Sequence, residues 1–147
     1  MNNIYGIGVD QINLDRVRKL INKSKSKFEK RCFTEHEVKY ANRFSDPAKR
    51  LGARFAAKEA VMKSLGKGWR DLKWREIEIT GGGKPNVKLY GKALDLAESN
   101  NISTIHISLS HEKETAIAFA ISEVCLLYTS DAADEGLGVD LGGRRII

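Results

Sequence analysis

Two short stretches confine what this chain can become: Gly6-Ile7-Gly8-Val9-Asp10 near the start, and Arg54-Phe55-Ala56-Ala57-Lys58-Glu59-Ala60 at mid-chain. Side chains alternate along a strand, so if Ile4, Ile7 and Val9 lie in one, Gly6, Gly8 and Asp10 share one of its faces. The carboxylate then stands beside two residues without side chains, where something bulky can approach. In the second stretch a helix wheel puts Gly52, Ala56, Glu59 and Lys63 on adjoining positions. That sets a carboxylate and an ammonium one turn apart beside a strip of small residues. The expectation is that the strip floors a site for a metal-bound phosphate, with Asp10 and Glu59 where a divalent cation could sit.

The remaining pattern predicts one α+β domain. An amphipathic helix over Leu14–Ile21 turns Leu14, Val17 and Ile21 inward, and a basic break and a second helix follow. Thr34-Glu35-His36-Glu37 has the form of a capping box, and Asp46-Pro47 that of an N-cap before a first-turn proline. The long helix so opened should run to Leu65 and stop at Gly66 and Gly68. Leu72–Thr80 and Val87–Tyr90 read as strands around the turn Gly81–Pro85, and Lys92–Ser99 as a helix. Two final strands, Thr104–Ser110 and Thr115–Ser122, are joined by the turn holding His111-Glu112-Lys113-Glu114.

Composition agrees with this without adding to it. A chain of 147 residues, 41% hydrophobic and 30% charged, suits one modest domain with a real core. No apolar run reaches the length of a membrane span, and no charged leader precedes an apolar stretch, so a cytoplasmic location is expected. Cys32 and Cys125 lie far apart in no metal-ligand or redox spacing and are expected to stay reduced.

Charge is more informative once the C-terminal stretch is separated. From Val124 onward, Asp131, Asp134, Glu135 and Asp140 outnumber Arg144 and Arg145, so that stretch is −2 and residues 1–123 carry +8 of a whole-chain +6. Many of the cations crowd between Arg16 and Arg31, a patch suited to a polyanion or an acidic protein. The stretch 124–147 lacks the periodicity seen elsewhere. It resembles translated adapter or vector sequence, a disordered extension being the alternative, and residues 1–123 are expected to form the working domain. One reservation is Cys125-Leu126-Leu127-Tyr128, apolar enough to extend the last strand.

Each candidate residue also has a plainer reading. Asp10 could cap the helix that follows it. Glu59 and Lys63 could be an exposed i, i+4 ion pair worth a few tenths of a kcal/mol. Against this, Leu51, Phe55, Met62 and Leu65 define the buried stripe, and Glu59 lies on its flank, where a carboxylate needs a partner. Lys58 falls near the middle of that stripe, so it should snorkel or reach across a subunit boundary. His106 and His111 read as strand histidines with hydrogen-bonding roles, and His36 as solvated.

The two stretches, together with Leu51-Gly52-Ala53, Val61-Met62-Lys63-Ser64-Leu65-Gly66, Gly83-Lys84-Pro85 and His106-Ile107-Ser108-Leu109-Ser110-His111-Glu112, resemble the holo-acyl-carrier-protein synthase family of phosphopantetheinyl transferases. Separated motifs in the right order are far more specific than any lone glycine motif. The resemblance spans about Asn3 to Glu123. It implies a phosphopantetheinyl transferase-like fold, an antiparallel sheet packed on a long helix. It also implies transfer of 4′-phosphopantetheine from coenzyme A to a serine of apo-acyl carrier protein, releasing adenosine 3′,5′-bisphosphate, a step in fatty acid biosynthesis. Carried over to this chain, Asp10 and Glu59 would be the metal ligands for Mg²⁺, and Asp10, Glu59 and Lys63 the catalytic residues. Mg²⁺ takes one or two protein carboxylates and completes its octahedron with phosphate and water. Arg54, Lys63, Gly66, Lys84, Pro85 and His111 would hold coenzyme A. The base that deprotonates the serine stays open between Glu59 and a water on the metal. The resemblance further implies a homotrimer with sites between subunits, and an acidic carrier docking on Arg16, Arg18, Lys19 and Lys23. Gln11 and Trp69 depart from the usual pattern without removing a chemical group.

Two rivals belong to other classes. A nucleic-acid-binding module would account for the basic patch but calls for neither Asp10 nor Glu59 and has little aromatic interleaving, so no nucleic acid is expected. A scaffold binding an acidic protein without chemistry would use the same basic helix.

Overall fold

In chain order the computed structural model, which describes residues 2–125, has β1 (Asn2–Asn13), α1 (Leu14–Cys32), α2 (Glu35–Ala41) and α3 (Pro47–Ser64). A 3₁₀ turn (Trp74–Glu76), β2 (Ile77–Thr80), β3 (Asn86–Leu89), α4 (Gly91–Ser99), β4 (Ile102–His111) and β5 (Thr115–Cys125) follow. This is an α+β fold. An antiparallel sheet, ordered β1-β5-β4, packs on the long helix α3, and β2 and β3 form a separate antiparallel hairpin.

Local chemistry sets the helix ends. The Asn13 side chain accepts a hydrogen bond from the Arg16 N–H and opens α1. Thr34 and Glu37 form the expected capping box on α2. Leu65 closes α3, and Gly66 follows at φ +77, the left-handed conformation that favours glycine.

Three expectations change. The break in the basic segment is a kink inside α1, with Ser24 at φ −153 and ψ 57, so both halves count as one helix. Asp46 stands at the N-cap of α3 with Pro47 in the first turn, as expected, but its side chain makes no cap hydrogen bond and pairs instead with Arg18, 2.7 Å away. The strand over Leu72–Thr80 shortens to Ile77–Thr80, since the chain turns through Trp74–Glu76 and presents the Trp74 and Ile77 carbonyls to Lys58.

Helix α3 lies between the sheet and the rest of the core. Ala56, Ala60, Val61 and Leu65 join Ile77, Ile79 and Leu89 of the hairpin and Ala118 and Ala120 of β5 in one buried cluster. Leu51 joins a second cluster with Cys32, Phe33 and Ala41. With neighbours on opposite sides, the helix is buried almost all round, as its alanine content allows. The other sheet face is bare: Ile7 (60%), Val9 (49%), Phe119 (41%) and Ile117 (40%) are exposed.

Among the described residues no helix is long and apolar enough to cross a membrane. The expectation for the C-terminal stretch falls mostly outside the described residues. Within them, Val124 and Cys125 pair with Asn3 and Asn2, carrying β5 past the expected end at Ser122.

Candidate active site

The glycines of β1 admit helix α3 itself. A Cβ at Gly6 would run into the backbone carbonyl of Ser64, and one at Gly8 into the carbonyl of Ala60 and the Cβ of Lys63. On α3, a Cβ at Gly52 would meet a Leu14 methyl at 2.5 Å. The small-residue strip is therefore the contact surface for β1 and α1. The expected phosphate floor is filled by protein, since strand and helix backbones can approach this closely only where side chains are missing.

This close approach gathers three of the predicted residues. Asp10 follows Gly8 on the same strand face, and Glu59 and Lys63 sit beside Ala60 on α3. The Lys63 ammonium donates to the Val9 carbonyl at 2.8 Å and lies 3.4 Å from Asp10 Oδ1. Asp10's side chain is only 16% exposed, whereas Lys63's is 51% exposed. The half-buried Glu59 carboxyl is pushed above its ordinary range, first by burial and then by the charge of Asp10, with Lys63 opposing. Lys63 thus leaves the two-carboxylate pair incompletely compensated.

This donor set fits Mg²⁺. Two hard carboxylates lie together, with Lys63 as the nearby cation, and only partly desolvated. Among the described residues no cluster of three or more His, Cys, Asp or Glu could cage a metal.

Arg54 and the β2–β3 turn form a second group. Arg54 stands about 140° around the helix from Glu59. Its guanidinium donates to the Gly81 carbonyl at 3.0 Å and lies over the Tyr40 ring, 4.2 Å from the centroid. Gly81 has φ +87, and Lys84 is exposed in the same turn, next to half-buried Pro85. His111, at the end of β4, has a buried Nδ1 with no hydrogen-bond partner among the described residues. Burial, then the charges of Lys49 and Arg50, lower its pKa. Gly66 faces open space. His106 pairs with Glu123 at 2.8 Å, and His36 is exposed.

Lys58 neither snorkels nor reaches outward. It is fully buried 2.8 Å from Glu37 Oε1, itself fully buried, and donates to the carbonyls of Trp74 and Ile77. Glu37 also accepts from the Thr34 and Ile79 N–H groups, so every strong donor meets an acceptor. Glu37, Tyr40 and the Lys49–Arg50 pair beside His111 escaped the sequence reading. A lysine in a core stripe was the one signal that a buried acid had to be found.

On α1, Arg16, Lys19 and Lys23 are exposed, but Arg18 is tied to Asp15 at 2.9 Å and Asp46 at 2.7 Å. Beside them runs a groove of about 640 Å³ lined by Leu20, Phe28, Phe55 and Trp74, with Lys27 and Arg31 among its residues.

Comparison with known proteins shows the family. Residues 6–120 match the model of the 4′-phosphopantetheinyl transferase superfamily. The chain is 43% identical over 122 residues to the holo-[acyl-carrier-protein] synthase of Clostridium tetani, covering 82% of this chain and 96% of that protein. The crystal structure of the Neisseria meningitidis holo-[acyl-carrier-protein] synthase superposes with a TM-score of 0.74 at 36% identity, covering 82% of this chain and 98% of that one. A holo-(acyl-carrier-protein) synthase from Bacillus anthracis, solved in complex with CoA (3′,5′-ADP), gives a TM-score of 0.68 at 31% identity, covering 83% and 98%. With its glycine-bearing strand seated on α3, its carboxylate pair and this run of relatives, the chain belongs to the holo-[acyl-carrier-protein] synthases of the 4′-phosphopantetheinyl transferase superfamily.

Proposed function

We propose that this protein transfers the 4′-phosphopantetheine arm of coenzyme A to a serine hydroxyl of an apo-acyl carrier protein. A serine oxygen–phosphorus bond forms, the pyrophosphate bond breaks, and adenosine 3′,5′-bisphosphate leaves. The observation that carries this reading is the half-buried Asp10–Glu59 pair with Lys63 at its edge. Two carboxylates short of compensating charge serve no packing purpose, and they suit a site that receives a cation together with an anionic substrate.

Asp10 and Glu59 would hold Mg²⁺. Bound there, it would offset the charge that develops on the pyrophosphate. Lys63, anchored through the Val9 carbonyl and half exposed, supplies a second positive charge to the same phosphates. Of the two candidate bases, Glu59 is the one the chain itself provides, and a water on the metal is the other. Arg54 and the turn with Lys84 and Pro85, His111 with Lys49 and Arg50, and the open backbone at Gly66 would receive the nucleotide end.

Arg54 and Glu59 face different neighbours of α3, and the sheet leaves Ile7, Val9, Ile117 and Phe119 bare. Both features support a homotrimer with sites shared between subunits, an expectation that light scattering checks directly. Arg16, Lys19 and Lys23 would receive the acidic carrier, with Arg18 held back by its ion pairs. A cytosolic setting, where coenzyme A and carrier proteins meet, completes the proposal.

The test is incubation with apo-acyl carrier protein, coenzyme A and Mg²⁺, with mass spectrometry of the carrier. Addition of the arm is expected. Carrier binding without addition would favour the scaffold reading, to which the carboxylate pair contributes nothing.

A further inference from the structure

Three arginines around the link between α2 and α3 stand against rings rather than acids. The Arg54 guanidinium lies over the Tyr40 ring, 4.2 Å from its centroid, and Arg50, one turn earlier on α3, lies over Phe44 at 4.0 Å. Arg43 approaches the Tyr40 ring at 5.9 Å. Tyr40 and Phe44 meet edge to face with centroids 5.1 Å apart, so the two α3 arginines rest on one aromatic pair. Among the described residues none of the three arginines has an ion-pair partner. The acids that could serve are taken. Asp46, four residues before Arg50, pairs with Arg18 at 2.7 Å, and Glu37, whose charge reaches Arg54, pairs with Lys58 at 2.8 Å.

The choice of ring over acid matters to an anion. A carboxylate would offset the charge of a guanidinium and occupy the N–H fork that suits phosphate. A ring attracts the cation through its π face and uses none of the N–H donors. Arg54 is only 5% exposed; it donates to the Gly81 carbonyl at 3.0 Å, while its Nε–H has no partner among the described residues. A buried donor left unpaired costs free energy that an arriving acceptor restores. Arg50 serves the other side, its charge reaching His111, whose buried Nδ1 also lacks a partner among the described residues. Because Arg54 stands well around α3 from Glu59, these arginines address a different anion from the one at the carboxylate pair.

We propose that Tyr40 and Phe44 are positioning residues that hold Arg54 and Arg50 for a phosphate monoester on a ribose, and so select a nucleotide that carries one over the same nucleotide without it. In coenzyme A that group is the 3′-phosphate, which brings about −1.5 to −2 charges near pH 7. Each ring acts through its arginine and touches no reacting atom. Without the ring, the arginine keeps its place on α3 but turns freely, and its fork is no longer set for the phosphate. Taking the ligand to be coenzyme A rests on the transfer reading above.

The test uses the full chain and two probes, adenosine 3′,5′-bisphosphate and adenosine 5′-monophosphate, in isothermal titration calorimetry. The wild type should bind the bisphosphate at least about tenfold more tightly, the size of one charge-assisted hydrogen bond or more. Tyr40→Leu and, separately, Phe44→Leu should each weaken bisphosphate binding about fivefold to tenfold and leave the monophosphate within about twofold. Tyr40→Phe retains the ring and should keep most of the preference. In the transfer assay, KM for coenzyme A should rise in the Leu variants while that for 3′-dephospho-coenzyme A holds. Circular dichroism should report an intact fold, and if Tyr40→Leu does not fold, Phe44→Leu decides. A wild type that binds both probes alike, or binds neither, would overturn the inference. So would equal loss of both probes in the Leu variants, the mark of a merely structural role, or a full preference retained in them. Preference for the bisphosphate without transfer would uphold the inference and sink the transfer reading; transfer without that preference would do the reverse.

Discussion

A side-chain carbon at Gly8 would strike the carbonyl oxygen of Ala60, and this contact between backbones is what brings Asp10, two residues along β1, to Glu59, one residue before Ala60 on α3. The meeting of the two carboxylates is a consequence of how close the strand lies to the helix.

Gly8→Ala should therefore cost both stability and activity. Overpacking a tight contact typically costs about 1–3 kcal/mol. Calorimetry should show a fall of about 4 °C in melting temperature for each kcal/mol lost. Transfer should drop further than stability, because β1 must move away from α3 and carry Asp10 with it.

Asp10→Ala and Glu59→Ala should each lower kcat by at least about two orders of magnitude, as loss of a preorganised charge-stabilising group commonly does. Melting temperature without divalent cation should hold or rise, since either change relieves repulsion in a half-buried carboxylate pair. A large fall would mean that the pair is structural.

The pH dependence has a definite sign. Glu59 holds its proton more tightly in the folded protein than an ordinary glutamate. Its contribution to stability thus declines as pH rises from the ordinary carboxylate range through the raised value. Without Mg²⁺, Glu59→Gln should stabilise the protein near neutral pH and have no effect in acid. Mg²⁺ should raise the wild-type melting temperature near neutral pH, lose that effect as the carboxyls protonate, and have little influence on Glu59→Gln at any pH.

Lys58→Met should destabilise by about 3–5 kcal/mol in urea unfolding, because it leaves a buried carboxylate without its cation. Adding Glu37→Leu should recover only part of the loss, since the Thr34 and Ile79 N–H groups then lose their acceptor. A double-mutant cycle with no coupling would show that the 2.8 Å contact contributes nothing.

Neutralising Arg16 and Lys23 together should raise the carrier KM severalfold with little effect on coenzyme A, and high salt should imitate it. Arg18→Ala should behave differently, lowering stability in a way acid reproduces. Its hydrogen bond holds the Asp46 carboxyl below the usual range, so that stabilisation is present above the ordinary carboxylate pKa and lost as pH falls through the lowered one.

Much of the fold and site was legible because the information is local. The Thr34–Glu37 box, the stop at Gly66, the long helix and the alternating strands each follow from contacts a few residues apart. The order of the motifs pointed to Asp10, Glu59 and Lys63. What sequence could not decide was what faces what. The space beside Gly6 and Gly8 reads equally well as room for a ligand or for a helix, and only packing shows that α3 fills it. Lys58 could not be matched to Glu37, nor Arg18 to Asp46, because partners 21 and 28 residues apart meet only after α1, α2 and α3 have docked. Periodicity records which face of an element is apolar. Which element covers that face depends on the shapes of all of them together, and so did the meeting of Asp10 and Glu59.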